Sequence, residues 1–402
     1  MQADALVVGA GPAGSVAALV LARAGLKVQL IDRAAFPRHK LCGDTLNPGS
    51  LALLDRLCAN VSSSVVGRSL PIRGMTVTGP GGAQVTAEYP HGLCGAAITR
   101  RELDLLLLDA AIAAGAVFES GLIATAPAMS DDGARVIGAR LVAGERRSVR
   151  HARVLIAADG RGSRLASALA LSRFARTPRR WAFGAYFTEV DGLTDRGEMH
   201  VRTDGYVGVA PLPDGVTNVC VVRELGGVRG RGMPAAEIVS NALASDPMLE
   251  ARFARAHQIS EVVSLGPLAI DCRAAGHPGL LLAGDAAGFI DPITGDGLRF
   301  AIRGGELASE AALAELAEGR PAFNSLTSAR AREFRSKWRI NRALRFVVGS
   351  PLALELAALI AARWDTPVRH LIGTAGDIAL AVAQGSRLRA QGSRLEARGS
   401  TP

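Results

Sequence analysis

The segment Asp4–Asp32, DALVVGAGPAGSVAALVLARAGLKVQLID, decides the fold. An apolar run leads into a glycine-rich loop, a helix-forming stretch follows, and KVQLID is a second apolar run. This order predicts a βαβ unit that opens a Rossmann-type domain. In such a unit Gly9 permits the tight turn, Gly11 lets the backbone approach a pyrophosphate, and Gly14 lets the helix pack closely on the strand.

The same unit predicts a dinucleotide site. The pyrophosphate is expected at the helix N-terminus, beside Pro12 and Ala13, where backbone N–H groups attract anions. Asp32 ends the second strand, at the distance from the loop where an acid binds a ribose hydroxyl, and Arg33 follows it. The glycine loop alone does not distinguish NAD from FAD.

Composition narrows the class of protein. The 402 residues are 49% hydrophobic and 21% charged, which is typical of a globular chain. The net charge of +9 permits a nucleic-acid partner, but the arginines are scattered without interleaved aromatic residues, so we expect a solvated surface and no nucleic acid. Five cysteines without a CxxC pair predict neither a disulfide framework nor a metal site, and favour a cytoplasmic location.

Apolar runs further along the chain predict its organisation. The segments ARVLIAADG (152–160) and GLLLAGDAAG (279–288) read as buried strands, and the alternating segments between them read as antiparallel strands. We therefore predict an α/β fold with three parts. They are a discontinuous Rossmann-type (GR2-like) domain of residues 1–68, 97–173 and 272–335, an antiparallel β-sheet substrate domain of residues 69–96 and 174–271, and C-terminal helices in 336–402 with a basic, disordered tail.

Three later segments resemble the fingerprint of the aromatic-hydroxylase-like flavoproteins (group A flavoprotein monooxygenases). Ala158–Arg164 looks like that family's strand-to-helix DG turn, Gly284–Gly288 looks like its GD motif, and Arg100–Asp104 looks like its RxxLD helix start. The resemblance implies that the Rossmann-type domain binds FAD. It also implies NADPH or NADH as the reductant.

The resemblance assigns expected roles to residues of these motifs. Asp285, after Gly284, would reach the ribityl chain of FAD, and Asp159 and Gly160 would help hold the cofactor and the nicotinamide. Arg100 would lie near the FAD phosphates, with Arg101 as a less favoured substitute. The turn that follows the GD motif opens a helix, and the N-terminus of that helix would stabilise the reduced flavin. The alternative is that this turn is an ordinary start of a helix with no role at the flavin. The expected cofactor-binding residues of the turn are Pro292, Gly295, Asp296 and Gly297.

Within this family the segment Phe36–Asp44, FPRHKLCGD, resembles the geranylgeranyl-reductase branch, which carries a cysteine-glycine-aspartate segment near the flavin. Cys42 and Gly43 are therefore expected at the cofactor. Cys42, Asp44 and Tyr206 are the candidate catalytic residues, although Cys42 is equally consistent with a buried packing role. The branch's YxWxFP strand reads YVGVAP (206–211) here, and the loss of two large rings weakens the case for a C20 prenyl substrate.

Three functions remain open from the sequence. The first is an NAD(P)H-dependent monooxygenase that hydroxylates a lipophilic or phenolic small molecule through a flavin C4a-hydroperoxide. The second is a geranylgeranyl-reductase-like enzyme that reduces carbon–carbon double bonds, and the third is a flavin-holding protein or cyclase without net redox turnover. The apolar stretch 344–362 is interrupted by charges and is interpreted as helices, with peripheral association at the inner face of a membrane as an alternative to a purely cytoplasmic protein.

Overall fold

The computed structural model describes residues 3–175, 179–225 and 232–383. The strands are β1 Ala3–Val8, β2 Val28–Ile31, β3 Thr45–Leu46, β4 Leu70–Ile72, β5 Gly74–Thr78, β6 Gln84–Glu88, β7 Gly95–Ala97, β8 Val117–Glu119, β9 Ile123–Met129, β10 Val136–Ala143, β11 Arg146–Ala157, β12 Ser172–Phe174, β13 Arg180–Thr188, β14 Arg196–Arg202, β15 Gly205–Pro211, β16 Thr217–Glu224, β17 His257–Gln258, β18 Val263–Leu265, β19 Ile270–Cys272, β20 Gly276–His277 and β21 Leu280–Leu282. The helices are α1 Pro12–Arg23, α2 Pro48–Leu57, α3 Ala59–Arg68, α4 Arg100–Ala113, α5 Arg164–Ala168, α6 Ala235–Ala244, α7 Glu250–Phe253, α8 Gly297–Glu318, α9 Phe323–Val348, α10 Pro351–Arg363, α11 Thr366–Ala375 and α12 Ile378–Ala383.

The first sheet confirms the predicted βαβ unit. Its strands run in the order β20-β21-β11-β1-β2-β8, and β21, β11, β1, β2 and β8 are mutually parallel. The hairpin β9–β10 extends from β11. The central strands are apolar on both faces because α1, α4 and α8 pack on one face, while α5 and the β9–β10 hairpin cover the other.

The second sheet has the order β17-β13-β16-β15-β14-β5-β6, with β18 also paired to β13. Strands β5 and β6 come from residues 74–88 and the others from residues 180–265, so two distant segments form one sheet. All its pairs are antiparallel except β5 with β14, which the sequence did not indicate. Helices α6 and α7 cover one face of this sheet. The exact domain boundaries stay a prediction.

Helices α8 to α12 follow the last strand of the first sheet. The apolar stretch 344–362 forms the end of α9 and most of α10, as interpreted from the sequence. The tail expected to be disordered, residues 385–402, lies outside the described residues.

Candidate functional site

A cavity of about 690 Å³ lies where the two sheets and the C-terminal helices meet. One end is formed by the carboxyl ends of the parallel strands, where ligands of open α/β sheets bind. The predicted site residues that line the cavity are Gly9, Gly11, Pro12, Ala13, Asp32, Arg33, Cys42, Gly43, Arg100, Asp159, Gly160, Tyr206, Gly284, Asp285, Pro292, Gly295 and Gly297.

The glycine loop has the geometry that its sequence predicts. Gly9 has φ +99°, and a Cβ there would lie 2.4 Å from the Ala158 carbonyl oxygen. A Cβ on Gly14 would lie 1.8 Å from the Gly9 carbonyl oxygen, so only glycine allows α1 to pack this closely. A Cβ on Gly11 would point toward the Arg38 guanidinium, 3.3 Å away, and would fill the space between the loop and this cation.

The start of α1 is suited to an anion. Gly11 is its N-cap residue, and within the described chain no side chain caps this terminus and no acid lies in its first turn. Asp32 accepts hydrogen bonds from the backbone N–H groups of Ala10 at 2.8 Å and Ala34 at 2.9 Å. These bonds hold the Asp32 carboxylate at the cavity edge next to the loop, where a ribose hydroxyl would bind.

Basic side chains gather at this end of the cavity. Arg100 donates to both oxygens of Asp104, at 2.7 and 2.8 Å, and Arg38 lies 3.2 Å from the same carboxylate. Among the described residues, Arg38 Nε and two nitrogens of Arg161 are buried donors without a hydrogen-bond partner. Unpaired buried donors are costly, so they fit a site completed by an anionic group such as a diphosphate. Arg101 is exposed, which favours Arg100 as the arginine of the RxxLD motif.

Two carboxylates face the basic residues. Burial raises the pKa of Asp159, and its Oδ1 has no hydrogen-bond partner in the described part of the chain. Burial also raises the pKa of Asp285, although Lys40, Arg100 and Arg161 oppose this effect by their positive charge. Both carboxylates line the cavity, so they are placed to accept hydrogen bonds from hydroxyl groups of FAD.

Hydrogen bonds to Asp44, which does not line the cavity, hold the turn that contains Cys42. Cys42 lines the cavity, and burial raises the pKa of its thiol while the Arg100 charge opposes the shift. Asp44, with φ +52°, is fully buried and accepts hydrogen bonds from Tyr186 Oη at 2.7 Å, Asn218 Nδ2 at 2.8 Å and the Arg100 backbone N–H at 3.2 Å. Burial raises the Asp44 pKa to about 6. Its position behind the cavity wall differs from the expected catalytic position, because distant donors satisfy its carboxylate.

Tyr206 lines the cavity, but its hydroxyl is engaged. It donates to the Asp291 carboxylate, which also pairs with Arg180 at 3.1 Å. Burial raises the Tyr206 pKa well above its usual range, with the Asp291 charge acting in the same direction. The predicted catalytic residue therefore has a phenol that anchors strand β15 to the turn after the GD motif.

The structure also differs from the sequence expectation at Asp296. Its neighbours Gly295 and Gly297 line the cavity, whereas the Asp296 carboxylate is buried and accepts a hydrogen bond from Lys337 Nζ at 2.6 Å. Asn47 Nδ2 lies 3.3 Å from the same oxygen. Asp296 is turned away because a cation on α9 binds it, so it joins the starts of α8 and α2 to α9.

The other end of the cavity is apolar. Strands of the second sheet contribute Val77, Met199 and Gly208, and helices α10 and α11 contribute side chains of the opposite wall. A Cβ on Gly208 would lie 3.8 Å from its nearest neighbour, the Cys220 carbonyl oxygen, which is ordinary van der Waals contact, and Gly208 itself lines the cavity. Sequence reasoning did not find this helical wall, nor the basic residues Arg38 and Lys40. The basic segment FPRHK was their only signal.

Comparisons with known proteins identify the family of this chain. The family model described as an FAD binding domain matches residues 2–332. The chain is 31% identical over 323 residues to a menaquinone reductase of Mycobacterium tuberculosis, covering 77% of this chain and 76% of that protein. It is 29% identical over 345 residues to a digeranylgeranylglycerophospholipid reductase of Methanosarcina acetivorans, covering 84% and 80%. The resemblance to the geranylgeranyl-reductase branch is thereby confirmed.

Solved structures share the fold. The flavin-dependent brominase Bmp2 superposes with a TM-score of 0.80 over 94% of both chains at 18% identity. A geranylgeranyl bacteriochlorophyll reductase-like protein from Thermoplasma acidophilum superposes with a TM-score of 0.73 over 92% of this chain and 98% of that chain, at 22% identity. These likenesses confirm the predicted α/β FAD-binding fold and carry no statement about the substrate.

Proposed function

Because the chain belongs to the FAD binding domain family, we propose that this FAD-dependent oxidoreductase saturates carbon–carbon double bonds in a lipophilic, prenyl-like substrate. The observation that carries the proposal is the continuity of the cavity, which runs from the basic cofactor end into an apolar compartment between the second sheet and helices α10 and α11. Such a compartment suits a long hydrocarbon chain and offers it few polar partners.

Two polar side chains at the apolar end, Tyr206 and Glu198, are engaged with other protein groups. The Tyr206 hydroxyl is bonded to Asp291, and Glu198 binds both His200, at 2.9 Å, and Arg252. Substrate recognition there would rest on shape and apolar contact. The relatives named as menaquinone reductase and digeranylgeranylglycerophospholipid reductase support the same substrate class.

The chain's own residues have separable roles in this proposal. The N-terminus of α1 with Arg38 and Arg100 would bind the diphosphate of FAD, and Asp32 and Asp285 would hold its hydroxyl groups. When bound and reduced, FAD supplies the first hydrogen of the saturated bond as one proton together with two electrons. The second hydrogen must arrive as a proton. Burial raises the pKa of the Cys42 thiol, which keeps it protonated, so Cys42 would hold that proton at Sγ beside the cavity that it lines.

A monooxygenase is the second candidate. Gly208 and Ala210 occupy the positions where the resembled branch has two large rings, and both line the cavity. This wider compartment is the observation that favours a planar or phenolic substrate over a slender chain. NADPH or NADH as the reductant stays a prediction in either case.

Anaerobic turnover distinguishes the two candidates. The FAD-loaded protein is reduced by dithionite, mixed without oxygen with a geranylgeranyl lipid or with menaquinone, and followed by flavin absorbance. We expect flavin reoxidation and a product whose prenyl chain has gained two hydrogen atoms, which reduction of a quinone ring to a quinol would not give. Reoxidation only in the presence of oxygen, with a product that has gained one oxygen atom, would replace the reductase with the monooxygenase.

The proton role of Cys42 is tested with a neighbouring thiol as control. Cys220 also lines the cavity, and burial raises its pKa to about 12. We expect Cys42→Ala to bind FAD normally and to slow the reoxidation by alkene at least about 100-fold, the lower end of the usual range for a lost general acid. Cys220→Ala should react as the unmodified protein does. Equal rates for all three proteins would remove Cys42 from the mechanism.

A further inference from the structure

A cluster of large apolar side chains is exposed around the bend between α9 and α10. Phe346 is 73% exposed, Leu352 74%, Leu356 61%, Leu359 68% and Trp364 65%. On α10, leucines 352, 356 and 359 are spaced i, i+4 and i+7, so they share one face of the helix. Contiguous exposed apolar surface of this kind marks an interaction site, since isolated exposed residues are ordinary.

A stripe of arginines leads into this apolar cluster. Arg332, Arg335, Arg339 and Arg342 are exposed on α9 at spacings of i, i+3, i+7 and i+10, and Phe346 continues the same face. Within residues 3–175, 179–225 and 232–383, these four guanidinium groups have no acidic partner. The surface is therefore cationic beside its apolar part.

The same helix α10 forms a wall of the cavity with its other face. Leu354, Ala357, Ala358 and Ala361 line the cavity, while the exposed leucines lie on the opposite side of the helix. One helix thus separates the substrate compartment from the outside. Its cavity face is apolar, and its outer face is apolar except for the exposed Glu355.

We propose that the bend surface, defined as Arg332, Arg335, Arg339, Arg342, Phe346, Leu352, Leu356, Leu359, Ile360 and Trp364, docks on a bilayer that contains anionic lipids. Apolar side chains would enter the acyl boundary while the arginines bind lipid phosphates. Charge decides against a second copy of the chain, because the unpaired arginines of two copies would face each other on a symmetric interface. This docking does not depend on the proposed reaction.

The helices suit the surface of a bilayer. In the described part of the chain no single helix is long and apolar enough to span a membrane, and only α9 with α10 passes that test as a pair, bent by 108°. Docking on the surface would place the α10 wall, and the substrate compartment behind it, next to the lipid phase that holds lipophilic substrates.

Vesicle flotation tests the docking without substrate. FAD-loaded protein is mixed with vesicles of phosphatidylcholine alone or with phosphatidylglycerol, and the bound fraction is measured at low and high salt. We expect binding to the phosphatidylglycerol vesicles that weakens with salt. The variant R335Q/R339Q/R342Q should bind roughly 100-fold more weakly, since each arginine near an anionic surface contributes about fivefold. L352S/L356S/L359S should abolish flotation.

Two matched controls separate this surface from general charge and hydrophobicity. R68Q/R146Q/R147Q removes three exposed arginines elsewhere, and V117S/V149S/I259S removes three exposed apolar side chains elsewhere. Both should float like the unmodified protein. Trp364 emission should shift to the blue on vesicle addition, and W364F should lose that shift.

Several results would overturn the proposal. They are absence of flotation by the unmodified protein, normal flotation of the leucine variant, or equal loss of binding in the controls. A dimer in solution that L352S/L356S/L359S converts to a monomer, without vesicle binding, would show that the surface joins two copies of the chain. None of these results bears on alkene reduction, because flotation is measured without substrate.

Discussion

Arg100 donates two hydrogen bonds to the carboxylate of Asp104, one turn further along α4, and the same carboxylate lies 3.2 Å from Arg38. Asp104 is fully buried and thus holds two guanidinium groups at the cofactor end of the cavity. Asp104, the aspartate of the RxxLD motif, therefore orients two cations that would otherwise repel each other.

Asp104→Asn should weaken FAD binding and destabilise the protein. The amide cannot neutralise two buried cations, and breaking a buried ion pair costs about 3 kcal/mol or more in the free energy of unfolding. Urea denaturation of the FAD-free protein and titration with FAD measure the two effects. Asp109→Asn, at an exposed position of the same helix, is the control and should change neither quantity.

Substitutions of two glycines in the loop should have different effects, one on FAD binding and the other on stability. Gly11→Ala is expected to fold normally but to bind FAD at least about tenfold more weakly, a loss of about 1.4 kcal/mol, because its Cβ fills the space between the loop and Arg38. Gly14→Ala should instead destabilise the fold by about 3 kcal/mol, since its Cβ would collide with the Gly9 backbone. Denaturation and FAD titration of both variants check this. A Gly14→Ala protein of normal stability would contradict the packing.

The buried carboxyl of Asp44 predicts a pH dependence of stability. Its folded pKa of about 6 exceeds the usual 3.8, so the fold binds a proton more tightly than the unfolded chain does. The stability gained from the protonated Asp44 carboxyl is fully present below about pH 4 and is lost as the pH rises through 6. The free energy of unfolding falls by about 3 kcal/mol in total. Relative to Asp44→Asn, the unmodified protein should therefore lose stability between pH 4 and 7.

Urea denaturation at several pH values measures this difference. The exposed Asp131→Asn serves as control and should show a profile parallel to that of the unmodified protein. If the two proteins differed in free energy of unfolding by the same amount at every pH, burial would not raise the pKa of Asp44 in the folded protein.

Gly208→Trp should narrow the substrate compartment without harming the fold. The nearest atom to a Cβ there is 3.8 Å away, so the backbone accepts a side chain that then extends into the cavity. We expect kcat/KM to fall at least about tenfold for the bulkiest accepted substrate, with a smaller loss for slender chains. The tryptophan ring would occupy space that only the wider substrates need. Ratios of kcat/KM for substrates of graded width measure this effect. A uniform loss for all of them would indicate a general disturbance instead.

The sequence by itself determined the Rossmann-type domain and the motifs of the cofactor end. This was possible because the demands there are local. Gly14 is required by its approach to the Gly9 backbone and Gly9 by its φ of +99°, both within one strand-loop-helix unit, and the DG and GD motifs each end a strand whose apolar run is visible in the chain.

Only the tertiary structure decided which carboxylates face the cavity. Asp44 and Asp296 lie in the same short segments as residues that line it, yet Tyr186, Asn218 and Lys337 bind them from elsewhere in the chain. The direction of a side chain depends on such distant partners, which no local pattern contains. The wall formed by α10 could not be predicted for the same reason. The apolar residues on its two faces look alike in the sequence, and only packing selects the face that covers the cavity.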